Sequence, residues 1–192
     1  MTKQRLEAFS DGVLAIIITI MVLDLKAPLG ADLAALRPLA PGFVSYALSF
    51  VFIGIYWNNH HHMLQAAERV NGPILWANLH LLFWLSLIPF GTAWMGHHEF
   101  SAWPVALYGV MLLFAGIAYY ILARLLAAHH GKDSTLAQAL GDDRKGKLSI
   151  AIYAAAIPLA FVSSALAYAL YALVAVMWLY PDRRFEKALS KA

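Results

Sequence analysis

Polar side chains recur inside three of the most apolar stretches of this chain, and such groups are costly in apolar surroundings unless they meet one another. Near the N-terminus, Arg5, Ser10, Asp11 and Gly12 precede an apolar run from Val13 to Leu23 that only Thr19 interrupts. In a second stretch Trp57, His60 and His61 stand at i, i+3 and i+4, one face of a helix. In a third, Asn78 and His80 lie among Trp76, Trp84 and the pair Pro89-Phe90. The chemistry within reach is hydrogen bonding between buried groups, or a proton relay through Asp11, His60, His61 and His80. If the first two stretches are antiparallel helices, the start of one meets the end of the other. Asp11 then lies at the depth of His60 and His61, which predicts an Asp–His or Arg5–Asp11–His network at a close-packed junction beside Gly12.

Other chemistries find little support. Successive helical residues diverge by about 100°, so His60, His61 and His62 cannot share one metal ion, and no two histidines stand at i, i+4. His97-His98 and His129-His130 fall at the ends of apolar stretches, where solvated roles are expected. Ser163-Ser164 has no neighbouring base, and no phosphate loop, nucleotide fingerprint or protease motif occurs. Without cysteine there are no disulfides, thiolate metal sites or cysteine nucleophiles. No enzymatic activity and no cofactor are expected.

The elements that position these residues are membrane spans. Of 192 residues 61% are hydrophobic and only 13% charged, about half the charged fraction of a soluble domain. The reading is one all-α membrane domain, residues 1–192, with six spans at about 8–25, 43–63, 74–94, 103–124, 147–163 and 165–181. The last two share a run too long for one crossing, so a tight turn near Val162–Ala165 is predicted. The N-terminal run is longer than a signal core, and the KAPLGA after it is a poor cleavage site, so it reads as a span. Lysine and arginine alternate with these spans: of 14, only Lys26 and Arg37 fall on the outer side when both termini are cytoplasmic. This places a multi-pass protein in the cell membrane. The net charge of +3 then reflects span ends and lipid contact rather than nucleic acid.

The first span has a further pattern. At about 100° per residue, Gly12, Ile16, Thr19 and Leu23 fall within about 60° of one another, opposite Ser10, while Asp11 points to one side. Plain helix packing would explain such a stripe. Several copies around an axis would instead make Ile16 and Leu23 apolar rings that gate by dewetting and Thr19 a ring of hydroxyls. Asp24 would stand near the outer mouth, unless it merely ends the helix or pairs with Lys26.

The motif Arg5-x-x-x-Phe9-Ser10-Asp11-Gly12, the apolar run and Leu23-Asp24 resemble the first helix of the transmembrane protein 175 family, the lysosomal potassium channels and their small prokaryotic homologues. Trp57 with His60-His61, and Asn78 with Pro89-Phe90, are similar to that family's second and third helices; His62 departs from the pattern. The resemblance implies a six-span subunit, four of which form a homotetramer around their first helices. It implies a pore for potassium and other monovalent cations without a carbonyl filter loop. Ile16 would be the constriction, Thr19 the hydroxyl layer and Leu23 a further apolar layer. Arg5, Phe9, Ser10 and Asp11 would belong to a network between helices and subunits. The alternative is a proton-conducting or proton-coupled transporter using the intramembrane Asp and His residues.

Overall fold

The computed structural model describes residues 2–131, 134–141 and 143–179, and every regular element among them is helical. The chain runs through α1 (Lys3–Leu23), a 3-10 turn (Leu33–Leu39), α2 (Ala40–Gln65), α3 (Gly72–Ser86), α4 (Ile88–His97) and α5 (Ala102–His130). A short α6 (Thr135–Leu140) and the pair α7 (Arg144–Leu159) and α8 (Ser164–Leu179) complete it. Lys132, Tyr180 and the basic tail beyond it lie outside the described residues, as does the end of the sixth predicted span.

The helices begin and end where side chains satisfy their free backbone groups. Asn71 Oδ1 accepts from Ile74 N at the start of α3, and the Asp143 carboxylate accepts from Gly146 N at the start of α7. The third predicted span is two helices, α3 and α4, joined at Leu87. Leu87 closes α3, and Pro89, with no N–H, sits in the first turn of α4. The turn predicted near residues 162–165 is present, and α8 starts at Ser164. Among the described residues four segments are long and apolar enough to cross a membrane: Lys3–Leu23, Leu33–Gln65, Gly72–His97 and Ala102–His130. Helix α7 has 16 residues, about 24 Å of rise, and α8 is described from Ser164 to Leu179.

Helix α5 forms the centre of the bundle, packed on α3, α7, α4 and α8, while α1 lies to one side against α2, α3 and α4. Contacts define two ends. At one, Lys3 Nζ donates to Gln65 O, so the start of α1 meets the end of α2. At the other, His97 Nε2 is 3.3 Å from Asp24 Oδ2, joining the ends of α4 and α1. Close approach needs glycine at two places. A Cβ on Gly96 would lie 2.8 Å from Gly42 Cα, where α4 crosses α2, and one on Gly109 would collide with the Tyr171 hydroxyl. That hydroxyl donates to Val105 O at 3.2 Å. Gly109→Ala should therefore lower stability by about 1–3 kcal/mol. A reduced thermal midpoint in detergent, recovered only in part by adding Tyr171→Phe because the ring itself stays close, is the expected result.

Candidate functional site

Helix α1 has one face turned into the bundle and one left open. Leu6, Ser10, Leu14, Ile17 and Met21 are buried. Ser10 carries the polar link: its hydroxyl donates to Leu6 O at 2.8 Å and accepts from Asn78 Nδ2 at 2.9 Å. The other end of that amide, Asn78 Oδ1, lies 2.7 Å from His60 Nε2. An amide oxygen only accepts, so His60 donates there from Nε2. The chain His60→Asn78→Ser10→Leu6 O is thus directed, spans α2, α3 and α1, and is buried at all three side chains.

The predicted partner of the histidines was Asp11, and the structure corrects this. Asp11 is exposed on the flank of α1 and accepts from Trp57 Nε1 at 3.1 Å. At about 100° per residue Asp11 cannot face inward when its neighbour Ser10 does, so the neutral Asn78 takes the place expected for the acid. His61 is exposed and stacks on Trp57 at 6.2 Å, and His62 meets the edge of His61. Arg5 is exposed and makes no ion pair or hydrogen bond among the described residues; Phe9 is half exposed. Gly12 faces open space, since a Cβ there would meet nothing within 4 Å. Within one subunit the predicted junction beside Gly12 is therefore absent.

The four residues of the stripe share the uncovered face. Ile16 is 57% exposed and Leu23 78%, with Gly12 and Thr19 exposed between them. The Thr19 hydroxyl lies 3.0 Å from both Ala15 O and Ile16 O, so its hydrogen points back into the helix. Its oxygen lone pairs are left facing outward, the orientation that can coordinate a cation. Asp24 caps the end of α1 and pairs with His97 rather than Lys26. Among the described residues no group of three or more His, Asp or Glu is placed to hold a metal ion.

Two groups of polar contacts escaped the sequence reading. Thr92, Ser49 and Tyr108 form a buried hydroxyl chain nearer the Asp24 end of α1. Scattered over three helices, single Ser, Thr and Tyr residues carry no periodic signal. His130, expected to be solvated, donates from Nδ1 to Leu126 O at 2.9 Å. Its Nε2 accepts from Glu68 N and Arg69 N at 2.9 and 3.2 Å. It therefore caps the link between α2 and α3 and requires one neutral tautomer. Asn78→Leu should cost about 1–3 kcal/mol, because it strands both Ser10 and His60, whereas Asp11→Asn keeps an acceptor for Trp57 and should cost under about 0.5 kcal/mol. Thermal melts of the two variants side by side check the ranking.

Sequence and structure comparisons place this geometry among known proteins. The family model for the endosomal/lysosomal potassium channel TMEM175 matches residues 5–89. A potassium channel of Chryseobacterium sp. (strain P1-3) is 52% identical over 191 residues, the full length of both chains. The human endosomal/lysosomal proton channel TMEM175 is 36% identical over 87 residues, 38% of this chain and 17% of its own. The crystal structure of a lysosomal potassium-selective channel TMEM175 homologue from Chamaesiphon minutus superposes with a TM-score of 0.82 at 25% identity. It covers 94% of this chain and 97% of its own. With a full-length relative above half identity and the same fold, this chain is a multi-pass membrane protein of the TMEM175 family, a family of cation channels and not of enzymes.

Proposed function

We propose that four copies of this chain assemble around their α1 helices into a potassium-permeable channel. The observation that carries this reading is the division of α1. One face is clamped into the bundle through Ser10, Leu14, Ile17 and Met21, while Gly12, Ile16, Thr19 and Leu23 line a face that its own chain leaves uncovered. Around a four-fold axis Ile16 and Leu23 form apolar rings, where water and ions pass only when the rings separate. Thr19 lies between them, and its outward lone pairs replace part of the hydration shell of a dehydrating cation. Asp24, at the end of the same helix, attracts cations to the mouth. The small and apolar side chains on the rest of the face suit close packing between helices.

The chain sits in the cell membrane with both termini cytoplasmic. Lys3, Arg5, Arg69, Arg144, Lys145 and Lys147 all belong to helix ends or links on the side where α1 starts, the excess expected of a cytoplasmic face. Potassium as the permeant ion is supported by the full-length Chryseobacterium relative and the Chamaesiphon homologue, both of them potassium channels. The vertebrate relatives are proton channels, which keeps proton conduction as a second reading. Against a relay through the buried histidine stands its geometry: the His60–Asn78–Ser10 chain ends on the Leu6 carbonyl and does not reach Asp11.

Potassium flux into liposomes, compared for the wild type, Ile16→Asn and Thr19→Ala, tests the proposal. Ile16→Asn should wet the constriction and raise flux on the order of tenfold, equal to about 1.4 kcal/mol of barrier. Thr19→Ala should reduce the preference for potassium over sodium. A purified protein that conducts nothing, with neither substitution changing the leak, would refute the channel reading. Proton flux lost on His60 substitution but kept in Asp11→Asn would favour the proton reading.

A further inference from the structure

Three hydroxyls are buried together in the half of the bundle that holds the end of α1. Thr92 of α4, Ser49 of α2 and Tyr108 of α5 are all buried. Thr92 Oγ1 lies 2.8 Å from Ile88 O and 2.6 Å from Ser49 Oγ, and Ser49 Oγ lies 2.8 Å from Tyr108 OH. A threonine has one hydroxyl hydrogen and a carbonyl only accepts. Thr92 therefore donates to Ile88 O, Ser49 donates to Thr92, and Tyr108 donates to Ser49. Each hydroxyl donates once, and the order of the chain is set by its terminal carbonyl. Among lipid-embedded helices such a chain fixes relative position more sharply than contact between equally apolar side chains.

The third neighbour of Thr92 Oγ1 is Met21 Sδ on α1, 3.9 Å away. Met21 is on the buried face of α1, between Thr19 and Leu23 in sequence and about 200° from each around the helix axis. Whatever Thr92 presses on is thus the back of the α1 segment whose front carries Thr19 and Leu23. The Ser10–Asn78–His60 chain holds the first half of α1, and the Thr92 chain meets the second half 11 residues later.

We propose that Thr92, held by Ser49 and Tyr108, is a positioning residue for ion selection: through Met21 it sets how far Thr19 and Leu23 project from the outer half of α1. This rests on the α1-lined pore proposed above. Thr92→Val keeps the shape and removes the hydroxyl, Thr92→Ser keeps the hydroxyl, and Tyr108→Phe removes only the far end of the chain. Each full-length variant is reconstituted and its potassium-to-sodium permeability ratio measured from reversal potentials. Thermal midpoint and oligomeric size are followed alongside.

The expected result is a ratio shifted about threefold or more in Thr92→Val, the scale of one interhelical hydrogen bond. The wild-type ratio is retained in Thr92→Ser, and a smaller shift in the same direction appears in Tyr108→Phe. A wild-type ratio in a folded Thr92→Val protein overturns the proposal, as does an equal shift in Thr92→Val and Thr92→Ser. If Thr92→Val does not fold, an unchanged ratio in Tyr108→Phe overturns it. Failure of the pore reading itself looks different, since Ile16→Asn and Thr19→Ala would then leave flux unaltered. An effect of those two without any effect of Thr92→Val rejects the positioning role alone.

Discussion

The hydrogen bond from the Asn78 amide to Ser10 Oγ, with His60 donating to the other end of that amide, fixes the rotation of α1 about its own axis. In water a helix turns its apolar side inward because the other side prefers solvent. A membrane helix lacks that guide, because lipid is as apolar as its neighbours. A polar group with one available partner supplies the direction instead. Ser10 in the wrong phase would leave the Asn78 Nδ2 donor without its acceptor in an interior that cannot hydrate it, while the His60–Asn78 bond would hold that amide in place. Rotation of α1 therefore costs the Asn78–Ser10 hydrogen bond together with the one from Trp57 to Asp11, and the face carrying Ile16, Thr19 and Leu23 is defined by exclusion.

That face was legible from residues alone because helical phase is arithmetic. Ser10 lies opposite Thr19, and the structure buries the first and exposes the second. The spans were legible for the same reason that they are stable: long apolar segments separated by short polar links. The partners within the site were less legible. Asp11, His60 and Asn78 all offered polar groups at a similar depth, and charge made Asp11 the natural partner for His60. Which of them meets Ser10 depends on the azimuth of α3 relative to α1, and no spacing within one helix encodes the azimuth between two. The break at Leu87 was hidden similarly, because Pro89 in a first helical turn and Pro89 inside a continuous helix look alike in sequence.

The contacts of α1 come from elements of differing rigidity. Helix α5, at the centre, is buried along nearly its whole length, and α3 packs closely on it. The Asn78 amide that orients α1 thus stands on the firmest pair of helices in the subunit. The His130 cap adds to this by tying the last turn of α5 to the backbone that leads into α3. At the opposite end α4 reaches α1 through Thr92 beside Met21 and through the exposed Asp24–His97 pair, which water weakens. The start of α1 is accordingly better anchored than its end.

The shortness of α7 has a consequence for the surrounding lipid. Sixteen residues rise about 24 Å, against about 30 Å of hydrocarbon in an ordinary bilayer. Lipids touching α7 where it crosses a bilayer must compress their acyl chains or meet the helix ends in the interfacial layer, at a cost of a fraction of a kcal/mol per Å. A bilayer crossed by α7 is thus thinned on that flank, which favours short or unsaturated acyl chains there and makes the neighbourhood of the protein sensitive to bilayer thickness.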